Sequence, residues 1–195
     1  AFMPNWLKKA VFYEIYPQSF YDSNDDGIGD IPGIIEKLDY VHSLGCNAIW
    51  MNPCYVSPFM DAGYDVADYK KVAPRYGTNE DLCRFFKTAH EKGMHILLDL
   101  VPGHTSEQHP WFPARARPEK NDYSDRYIWT DSWLESSQDY RFMSGRYPRN
   151  GSYIVNFFAT QPALNYGFLH PTAPWQLPAD HPSCRATAEA LKDIM

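Results

Sequence analysis

Apolar residues in the first half of the chain follow two different periodicities. A short β-branched and aromatic run predicts a strand at positions 11–16, and short apolar runs predict strands at 48–51 and 94–101. Apolar positions at helical spacing predict one helix that begins near Pro32 and stops at Gly45, and another that Thr78 caps and Gly93 ends. Because right-handed crossovers join such units, the order strand, helix, strand, helix, strand predicts an α/β fold with a parallel sheet.

Two later stretches lack this pattern. Residues 52–76 form a predicted loop rich in Pro, Gly, Asp and Tyr, and loops of that length are usually functional. From residue 105 to about 182 the regular pattern gives way to Trp, Tyr, Pro and Arg, with a strand-like piece at 153–157. This stretch predicts either an excursion with its own small core or a long lid. A helical pattern returns at 186–194, with Ser183 or a neighbour as its cap.

Composition limits the classes of function. With 195 residues, 44% of them hydrophobic, the chain can bury one substantial core. A net charge of −6 without a basic stripe argues against nucleic-acid binding and disfavours a polyanionic ligand. The 14 tyrosines and 6 tryptophans suit neutral, hydroxyl-rich ligands, because aromatic rings stack on the C–H faces of sugars.

The cysteines and the N-terminus bear on the compartment. Cys46, Cys54, Cys83 and Cys184 form no CxxC pair and no disulfide framework spacing. They predict free thiols in a reducing compartment, and therefore a cytoplasmic location. Residues 1–9 lack an apolar signal-peptide segment, and no apolar run reaches the roughly 18 residues of a membrane span, so neither export nor a membrane location is expected.

The acidic segment 22–30 places side-chain oxygens at alternate positions and includes a glycine that permits a sharp turn. Such spacing brings oxygen ligands together on a hard cation such as Ca²⁺. The predicted ligands are Asp22, Asn24, Asp26, the carbonyl of Ile28, and Asp30. The segment resembles an EF-hand loop, except that Gly33 stands where the bidentate Glu is expected.

Two other interpretations of this segment are weaker. An acidic turn without a metal would leave the repulsion among its carboxylates uncompensated. A dinucleotide-binding loop would need the spacing GxGxxG, whereas Gly27, Gly29 and Gly33 give GxGxxxG. The carboxylates would also repel a pyrophosphate.

Polar residues also follow the second and third predicted strands. Asp61 and Tyr64 lie in the loop after the second strand, where they could grip sugar hydroxyls and stack on a ring, although composition alone fits a solvated polar loop. Asp99 and His104 lie where the third predicted strand meets its loop. In a barrel of parallel strands this end of the strand is at the active-site face. The alternative is a turn with a satisfied His, and a metal at His104 would need a third ligand that is not evident.

Together these residues resemble the α-amylase superfamily, glycoside hydrolase family 13. The resemblance rests on four stretches, at positions 22–30, 63–69, 99–104 and 161–165. The last reads QPALN and is similar to the QPDLN signature of the oligo-1,6-glucosidase, α-glucosidase and trehalose synthase branch. Residues 104–112 look most like trehalose synthases. Ala163 replaces an expected Asp, and Pro102-Gly103 stands where the family usually has a pair such as Val-Asn.

The resemblance implies the N-terminal part of a (β/α)₈ TIM barrel with an irregular subdomain, domain B, inserted after the third strand. On that scheme residues 1–105 form the first three β/α units, 106–182 form domain B, and 183–195 form a helix leading toward the fourth strand. Retaining glycosidases use a nucleophile and a general acid/base. The family pattern places the nucleophile after the fourth strand and the acid/base after the fifth. We therefore expect this chain to be an N-terminal portion of a larger α-glucoside-processing enzyme and to be inactive in isolation.

The resemblance also assigns roles to individual residues. It implies that Asp61 and His104 hydrogen-bond a glucosyl unit in the −1 subsite and that Tyr64 stacks on it. Asp99 would be a supporting carboxylate, and the acidic segment would bind the Ca²⁺ known in this branch. The expected ligands are α-linked glucosides, with α-1,4, α-1,6 and trehalose-forming specificity left open, as is hydrolysis against transfer. The alternative is a noncatalytic sugar-binding or interaction protein on half a barrel, and exposed barrel edges would favour self-association.

Overall fold

A computed structural model describes residues 3–112, 118–119, 121–135 and 138–195. Their elements, in chain order, are the 3₁₀ helix Asn5–Lys9, β1 (Phe12–Ile15), α1 (Pro17–Phe20), α2 (Ile31–Glu36), α3 (Leu38–Ser43), β2 (Ala48–Met51), β3 (Tyr55–Val56), β4 (Asp68–Val72), the 3₁₀ helix Pro74–Tyr76, α4 (Asn79–Glu91), β5 (His95–Leu98), β6 (Arg141–Ser144), β7 (Ser152–Val155) and α5 (Pro182–Lys192). The chain divides into two units, the first being Ala1–Val56 with Lys71–Leu100 and the second Ser57–Lys70 with Val101–Met195.

A parallel sheet in the order β1, β2, β5 is the centre of the first unit. Strand β2 has the bounds that its run predicts, whereas β1 and β5 are shorter than theirs. Strand β1 ends early because Pro17 begins α1 two residues after it and cannot donate to a strand ladder. The register aligns Glu14 with Trp50 and Trp50 with Leu97, so these side chains share one face. The buried side chains of the opposite face include Ile15, Ile49 and Met51.

The predicted helix from Pro32 to Gly45 is two short helices, α2 and α3. Asp30 caps α2 by accepting a hydrogen bond from the Gly33 N–H at 2.7 Å. The helical ladder is interrupted at Lys37, where φ is −99° and ψ is 6°. Of the apolar positions at helical spacing, Ile34, Leu38 and Val41 are fully buried as the periodicity predicts, whereas Leu44, just after α3, is exposed.

Helix α4 confirms its predicted cap and stop. Thr78 accepts a hydrogen bond from the Asp81 N–H at 3.1 Å, and the Asp81 carboxylate accepts one from the Thr78 N–H at 3.0 Å. This reciprocal capping box satisfies backbone donors that have no partner within the helix. Phe85 and Ala89 are buried on its inner face, and Gly93 follows its end with φ at +73°.

The prediction that residues 52–76 form one loop is wrong. This segment contains β3, β4 and the 3₁₀ helix Pro74–Tyr76. The abundance of Pro, Gly and Asp hides these short elements in the sequence. In the second unit, Tyr69 of β4 is buried with its hydroxyl within hydrogen-bond distance of the carbonyls of Val101 and His104, at 2.8 and 2.9 Å.

The irregular stretch of the second unit has its own core. An antiparallel pair, β6 and β7, aligns Phe142 with Ile154, and isolated bridges join His104 to Ala163 and Tyr127 to Leu164. The buried core residues are Phe112, Tyr127, Trp129, Tyr153, Val155 and Leu164. A separate core, rather than a long lid, is therefore the observed arrangement of this stretch.

Helix α5 begins earlier than its pattern predicts. His181, rather than Ser183, is the N-cap, and its Nδ1 accepts a hydrogen bond from the Ser183 N–H at 3.2 Å. Pro182 is well placed at the first helical position because it has no N–H to satisfy. The domain boundaries at residues 105 and 182 stay predictions, and the observed units divide the chain differently by grouping Ser57–Lys70 with Val101–Met195.

The cysteines are free thiols, as predicted. Cys46, Cys54 and Cys184 are buried and Cys83 is exposed. Burial raises the pKa of the Cys54 thiol to about 12, so it stays protonated and unreactive. Across the described parts of the chain, no helix combines the length and apolar character that crossing a membrane requires.

Candidate functional site

A tight loop around Asp65 places two predicted site residues. The buried Asp65 carboxylate accepts hydrogen bonds from the Ser57 hydroxyl at 2.9 Å and from the N–H groups of Met60 and Asp61 at 2.9 and 3.1 Å. The Tyr64 N–H donates to the Asp61 carbonyl at 2.8 Å, which closes the next turn. Asp65 therefore organises the loop from within, a role that the sequence pattern did not reveal.

The same loop contains backbone strain. Phe59 and Ala62 have φ values of 56° and 53°, in the left-handed region that side chains other than Gly rarely adopt. Each such residue costs about 1–3 kcal/mol and persists only where its surroundings determine it, commonly at binding sites. Here the hydrogen bonds to Asp65 provide that constraint.

His104 is buried and held at both ring nitrogens. Its Nε2 lies 3.1 Å from the Tyr64 carbonyl, and its Nδ1 lies 3.2 Å from the Asn156 side-chain nitrogen. Burial lowers the pKa of His104 below its ordinary value, although the Tyr64 carbonyl and the carboxylates of Asp61 and Asp65 act in the opposite direction. The imidazole is therefore neutral at neutral pH.

Asp61 is held by a residue distant in sequence. The Gln161 side chain donates to Asp61 Oδ2 at 2.6 Å and is itself fully buried. Gln161 opens the QPALN stretch, so this hydrogen bond joins that stretch to the loop just before the stretch at 63–69. The departure at Ala163 has a local reason, because this residue is buried in an apolar cluster with Ile154 and Trp175, where a carboxylate would lie unpaired.

These residues line one cavity of about 430 Å³ in the second unit. Its lining consists of Asp61, Tyr64, His104, Phe157 and Phe158. Three predicted substrate-binding residues thus come together, in a cavity within the size range of small-molecule sites, about 300–1,000 Å³. Phe157 and Phe158 are 67% and 52% exposed, and sequence reasoning missed them. An aromatic pair two residues before the QPALN stretch was the available signal.

Asp99 is not among the residues that line this cavity. It follows β5 in the first unit, where its carboxylate accepts a hydrogen bond from the Trp50 indole N–H at 2.6 Å. Its backbone N–H donates to Met51, and its carbonyl accepts from the Tyr55 hydroxyl at 3.0 Å. The position at the carboxyl end of a parallel strand agrees with expectation, while the supporting role of Asp99 stays a prediction.

The acidic segment is held by its own turns. Asp22 accepts from the N–H groups of Asn24 and Gly27 at 3.1 and 2.7 Å, Asn24 accepts from Asp26 at 3.1 Å, and Asp26 accepts from Ile28 at 2.8 Å. Desolvation raises the pKa of Asp22, but the backbone N–H groups lower it, and the net direction is downward. The loop therefore favours the charged carboxylate at this position.

Asp30 has a different environment from Asp22. One of its oxygens accepts from the Ser23 N–H and hydroxyl at 3.1 and 2.9 Å, and the other caps α2 through Gly33. Oxygen ligands suit Ca²⁺, and a carboxylate has about four acceptor sites, so these bonds leave sites for a cation. In the described ranges, however, no group of three or more His, Cys, Asp or Glu side chains is placed to hold a metal. The calcium assignment stays a prediction.

Comparison with known proteins establishes the family. Residues 14–168 match the family described as alpha amylase, catalytic domain. The chain therefore belongs to the α-amylase family, and its α/β fold is the N-terminal part of the (β/α)₈ barrel enzymes of that family, as predicted.

Curated relatives include oligo-1,6-glucosidases and trehalose synthase/amylases. An oligo-1,6-glucosidase of Heyndrickxia coagulans is 44% identical over 177 residues, a match that spans 84% of this chain and 31% of the relative. A trehalose synthase/amylase of Mycolicibacterium smegmatis is 41% identical over 181 residues, spanning 83% of this chain and 29% of the relative.

Solved structures agree with this assignment. A mutant isomaltulose synthase from Erwinia rhapontici in complex with sucrose has a TM-score of 0.83 at 36% identity, covering 100% of this chain and 34% of that one. The isomaltulose synthase from Protaminobacter rubrum has a TM-score of 0.83 at 38% identity, covering 99% and 34%. The chain thus spans about a third of the length of the relatives that it matches.

Proposed function

We propose that this chain is the N-terminal part of an α-glucoside-processing enzyme and that its cavity forms the −1 subsite. The observation that carries the proposal is the meeting of Asp61, Tyr64 and His104 around one cavity. Oligo-1,6-glucosidases and trehalose synthases among the relatives support α-linked glucosides as its substrate class. Whether the bond is α-1,4 or α-1,6, and whether the product is a hydrolysate or an isomer such as trehalose, is for product analysis with maltose to decide.

Each side chain offers a distinct contact to a sugar. The Asp61 carboxylate accepts hydrogen bonds from hydroxyls, and a charged acceptor contributes more than a neutral one. The His104 Nε2–H already donates to the Tyr64 carbonyl, so a sugar hydroxyl would share this donor. The Tyr64 ring can stack on the C–H face of the glucosyl ring. Phe157 and Phe158 would add an apolar wall that excludes water from one side of the ring.

We propose further that the parent enzyme acts with retention, using a nucleophile and an acid/base supplied outside these 195 residues. Retention requires two carboxyl groups about 5 Å apart across the scissile bond. Asp61 is the single carboxylate among the described residues that line the cavity. Asp65 lies nearby, but it is fully buried and its oxygens hold the loop. The chain alone is therefore proposed to bind sugar without cleaving it.

The test of the proposal is sugar binding by the chain, followed as chemical-shift changes in NMR. Maltose and isomaltose should perturb His104 and Tyr64, whereas β-linked cellobiose should not. Asp61→Asn should weaken maltose binding about 10-fold or more, because it removes a charged acceptor. Asp180→Asn, at an exposed aspartate of the same unit, is the matched control. Equal binding by both variants would contradict the assignment.

Sugar binding by itself does not distinguish the enzyme from a noncatalytic sugar-binding or interaction protein. Both functions predict binding, so activity of the protein that carries this chain must be measured separately. Turnover of maltose by that protein, lost in His104→Ala, supports the enzyme. Binding without turnover under all conditions supports the noncatalytic function.

We also propose that the acidic segment binds one Ca²⁺ through Asp22, Asn24, Asp26, the Ile28 carbonyl and Asp30. The alternating oxygens and the mutual repulsion of the carboxylates support this assignment. When bound, the ion would neutralise that repulsion and stabilise the loop.

Two further proposals are a cytoplasmic location, which the four free thiols support, and self-association through apolar residues of the sheet.

A further inference from the structure

The turn from Asn156 to Gln161 connects β7 to the QPALN stretch. The Asn156 N–H donates to the Gln161 carbonyl at 3.2 Å, and the Gln161 N–H donates to the Phe158 carbonyl at 3.0 Å. The two residues at its tip, Phe157 and Phe158, line the cavity. The side-chain amides at its two ends reach back to the two polar groups of the same cavity.

Hydrogen-bond logic fixes the orientation of the Gln161 amide. Its Oε1 accepts from the Phe158 N–H at 3.1 Å, and a backbone N–H can only donate. The other end of the amide, 2.6 Å from Asp61 Oδ2, must therefore be the NH₂ group. A donor at this distance fixes the rotation of the Asp61 carboxylate.

The same reasoning fixes Asn156 and, through it, His104. The Asn156 side-chain nitrogen lies 2.9 Å from the Gly103 carbonyl, which can only accept, so this atom is the NH₂ group. Its second hydrogen then points to His104 Nδ1 at 3.2 Å, which must be the unprotonated nitrogen. The hydrogen of the neutral ring is consequently on Nε2, where it donates to the Tyr64 carbonyl.

Gly103 takes part in this arrangement. A Cβ atom at position 103 would lie 3.0 Å from the Asn156 side-chain nitrogen, closer than ordinary packing allows. The Gly at a position where the family usually carries a larger residue thus makes room for the Asn156 amide.

We propose that Asn156 and Gln161 are positioning residues, which hold His104 as the Nε2–H tautomer and Asp61 as an oriented carboxylate. One turn would then supply the apolar wall of the cavity and determine the hydrogen-bonding character of its polar groups. The consequence for sugar binding rests on the proposed function, whereas the tautomer and the carboxylate state do not. A purely structural turn would leave both of these states unchanged when its amides are altered.

The tautomer is measured first in the unaltered chain. ¹⁵N NMR of the imidazole distinguishes a protonated from an unprotonated ring nitrogen, so it needs no variant that could fail to fold. The expected result is protonation at Nε2 of His104. Protonation at Nδ1 would overturn the proposal for Asn156.

One conservative variant then tests each of the two side-chain amides. Asn156→Asp replaces the donor with an acceptor next to Nδ1, and should raise the His104 pKa by about one unit or more and shift the proton to Nδ1. The other charged groups that act on His104, Asp61 and Asp65, are unchanged.

Gln161→Glu keeps an acceptor for the Phe158 N–H but places a second carboxyl against Asp61. The pair should then titrate in coupled steps, with one step about one unit or more above an ordinary carboxyl pKa.

The chain offers matched controls for both substitutions. Asn165→Asp keeps the acceptor that the Gly167 N–H uses, and Gln176→Glu keeps the acceptor that Thr172 and Ala173 use. Both residues are buried in the same unit and neither is hydrogen-bonded to Asp61 or His104 in the described contacts. Neither control should shift the titration of His104 or Asp61.

The outcomes distinguish the positioning role of Asn156 and Gln161 from the proposed sugar-binding function. Shifted titrations in Asn156→Asp and Gln161→Glu, with unshifted controls, support the positioning role whether or not maltose binds. Unchanged titrations in both variants would overturn it. Shifted titrations together with no maltose binding by the unaltered chain would instead contradict the proposed function and leave the positioning role supported.

Discussion

Gln161 donates a hydrogen bond to Asp61 at 2.6 Å across 100 positions of sequence. The contact joins the loop that follows β3 to the QPALN stretch, so it closes one side of the cavity. A buried amide that satisfies a carboxylate from this distance ties the geometry of the site to the folding of the whole second unit.

His104 should make folding stability depend on pH below neutrality. Burial lowers its pKa, so the folded state binds a proton more weakly than the unfolded state. Its contribution is fully present above the unfolded pKa of about 6.5 and is lost as the pH falls through the lower folded pKa. Urea denaturation is compared at pH 5 and pH 8, about one unit or more on either side of the ordinary His pKa. The free energy of unfolding should decline less toward pH 5 in His104→Gln than in the unaltered chain. His42→Gln, at an exposed histidine, is the control and should leave this decline unchanged.

The capping box of α4 should contribute measurably to stability. Thr78→Ala removes the hydroxyl that accepts from the Asp81 N–H and should lower the free energy of unfolding by about 1 kcal/mol. Thr78→Ser keeps that acceptor and should lose much less. Chemical denaturation of the three proteins measures the difference. Equal losses in both variants would mean that the hydroxyl hydrogen bond is not the source.

Removal of calcium should expose the role of the acidic segment. Asp26→Ala should lower the melting temperature in the presence of Ca²⁺ but change it little in the presence of a chelator, because the ion stabilises only the folded loop. Asp25→Asn is the matched control, since Asp25 lies in the same loop at a φ of 61° that Asn tolerates and is not a predicted ligand. Identical melting of Asp26→Ala and the unaltered chain, with and without chelator, would contradict the calcium proposal.

The isolated chain should have no glycosidase activity. Binding groups without a nucleophile do not provide the covalent step of retention. The assay uses an aryl α-glucoside at high protein concentration, with the double variant Asp99→Asn, His104→Ala prepared identically as the control. Turnover that the control lacks would show that a catalytic pair lies within these 195 residues.

The chain should self-associate through its sheet. Trp50 and Leu97 share one face and are 42% and 38% exposed. Burial of apolar side chains between copies would remove this surface from water. Sedimentation at high concentration should show oligomers that Leu97→Glu reduces, whereas Leu134→Glu, at a residue that is 91% exposed in the second unit, should not. A monomer at every concentration would count against the prediction.

The sequence by itself determined the elements whose signals are local. Periodicity located β1, β2, β5 and the capped α4, because side-chain alternation and helix capping depend on neighbours within a few residues. The same local signals failed for β3 and β4, where Pro, Gly and Asp obscure short strands, and for the interruption at Lys37. The sequence also named Tyr64 and His104, which lie in stretches that resemble the family, and Asp61, which lies just before one of these stretches.

Only the tertiary structure decided what holds those three residues. Asp65, Asn156 and Gln161 act through hydrogen bonds that join distant positions or that depend on the orientation of a buried amide. No periodicity encodes such contacts, since their energy depends on burial and on which donor faces which acceptor. For the same reason Phe157 and Phe158 became recognisable as lining residues only when the turn that carries them was placed beside the Asp61 loop.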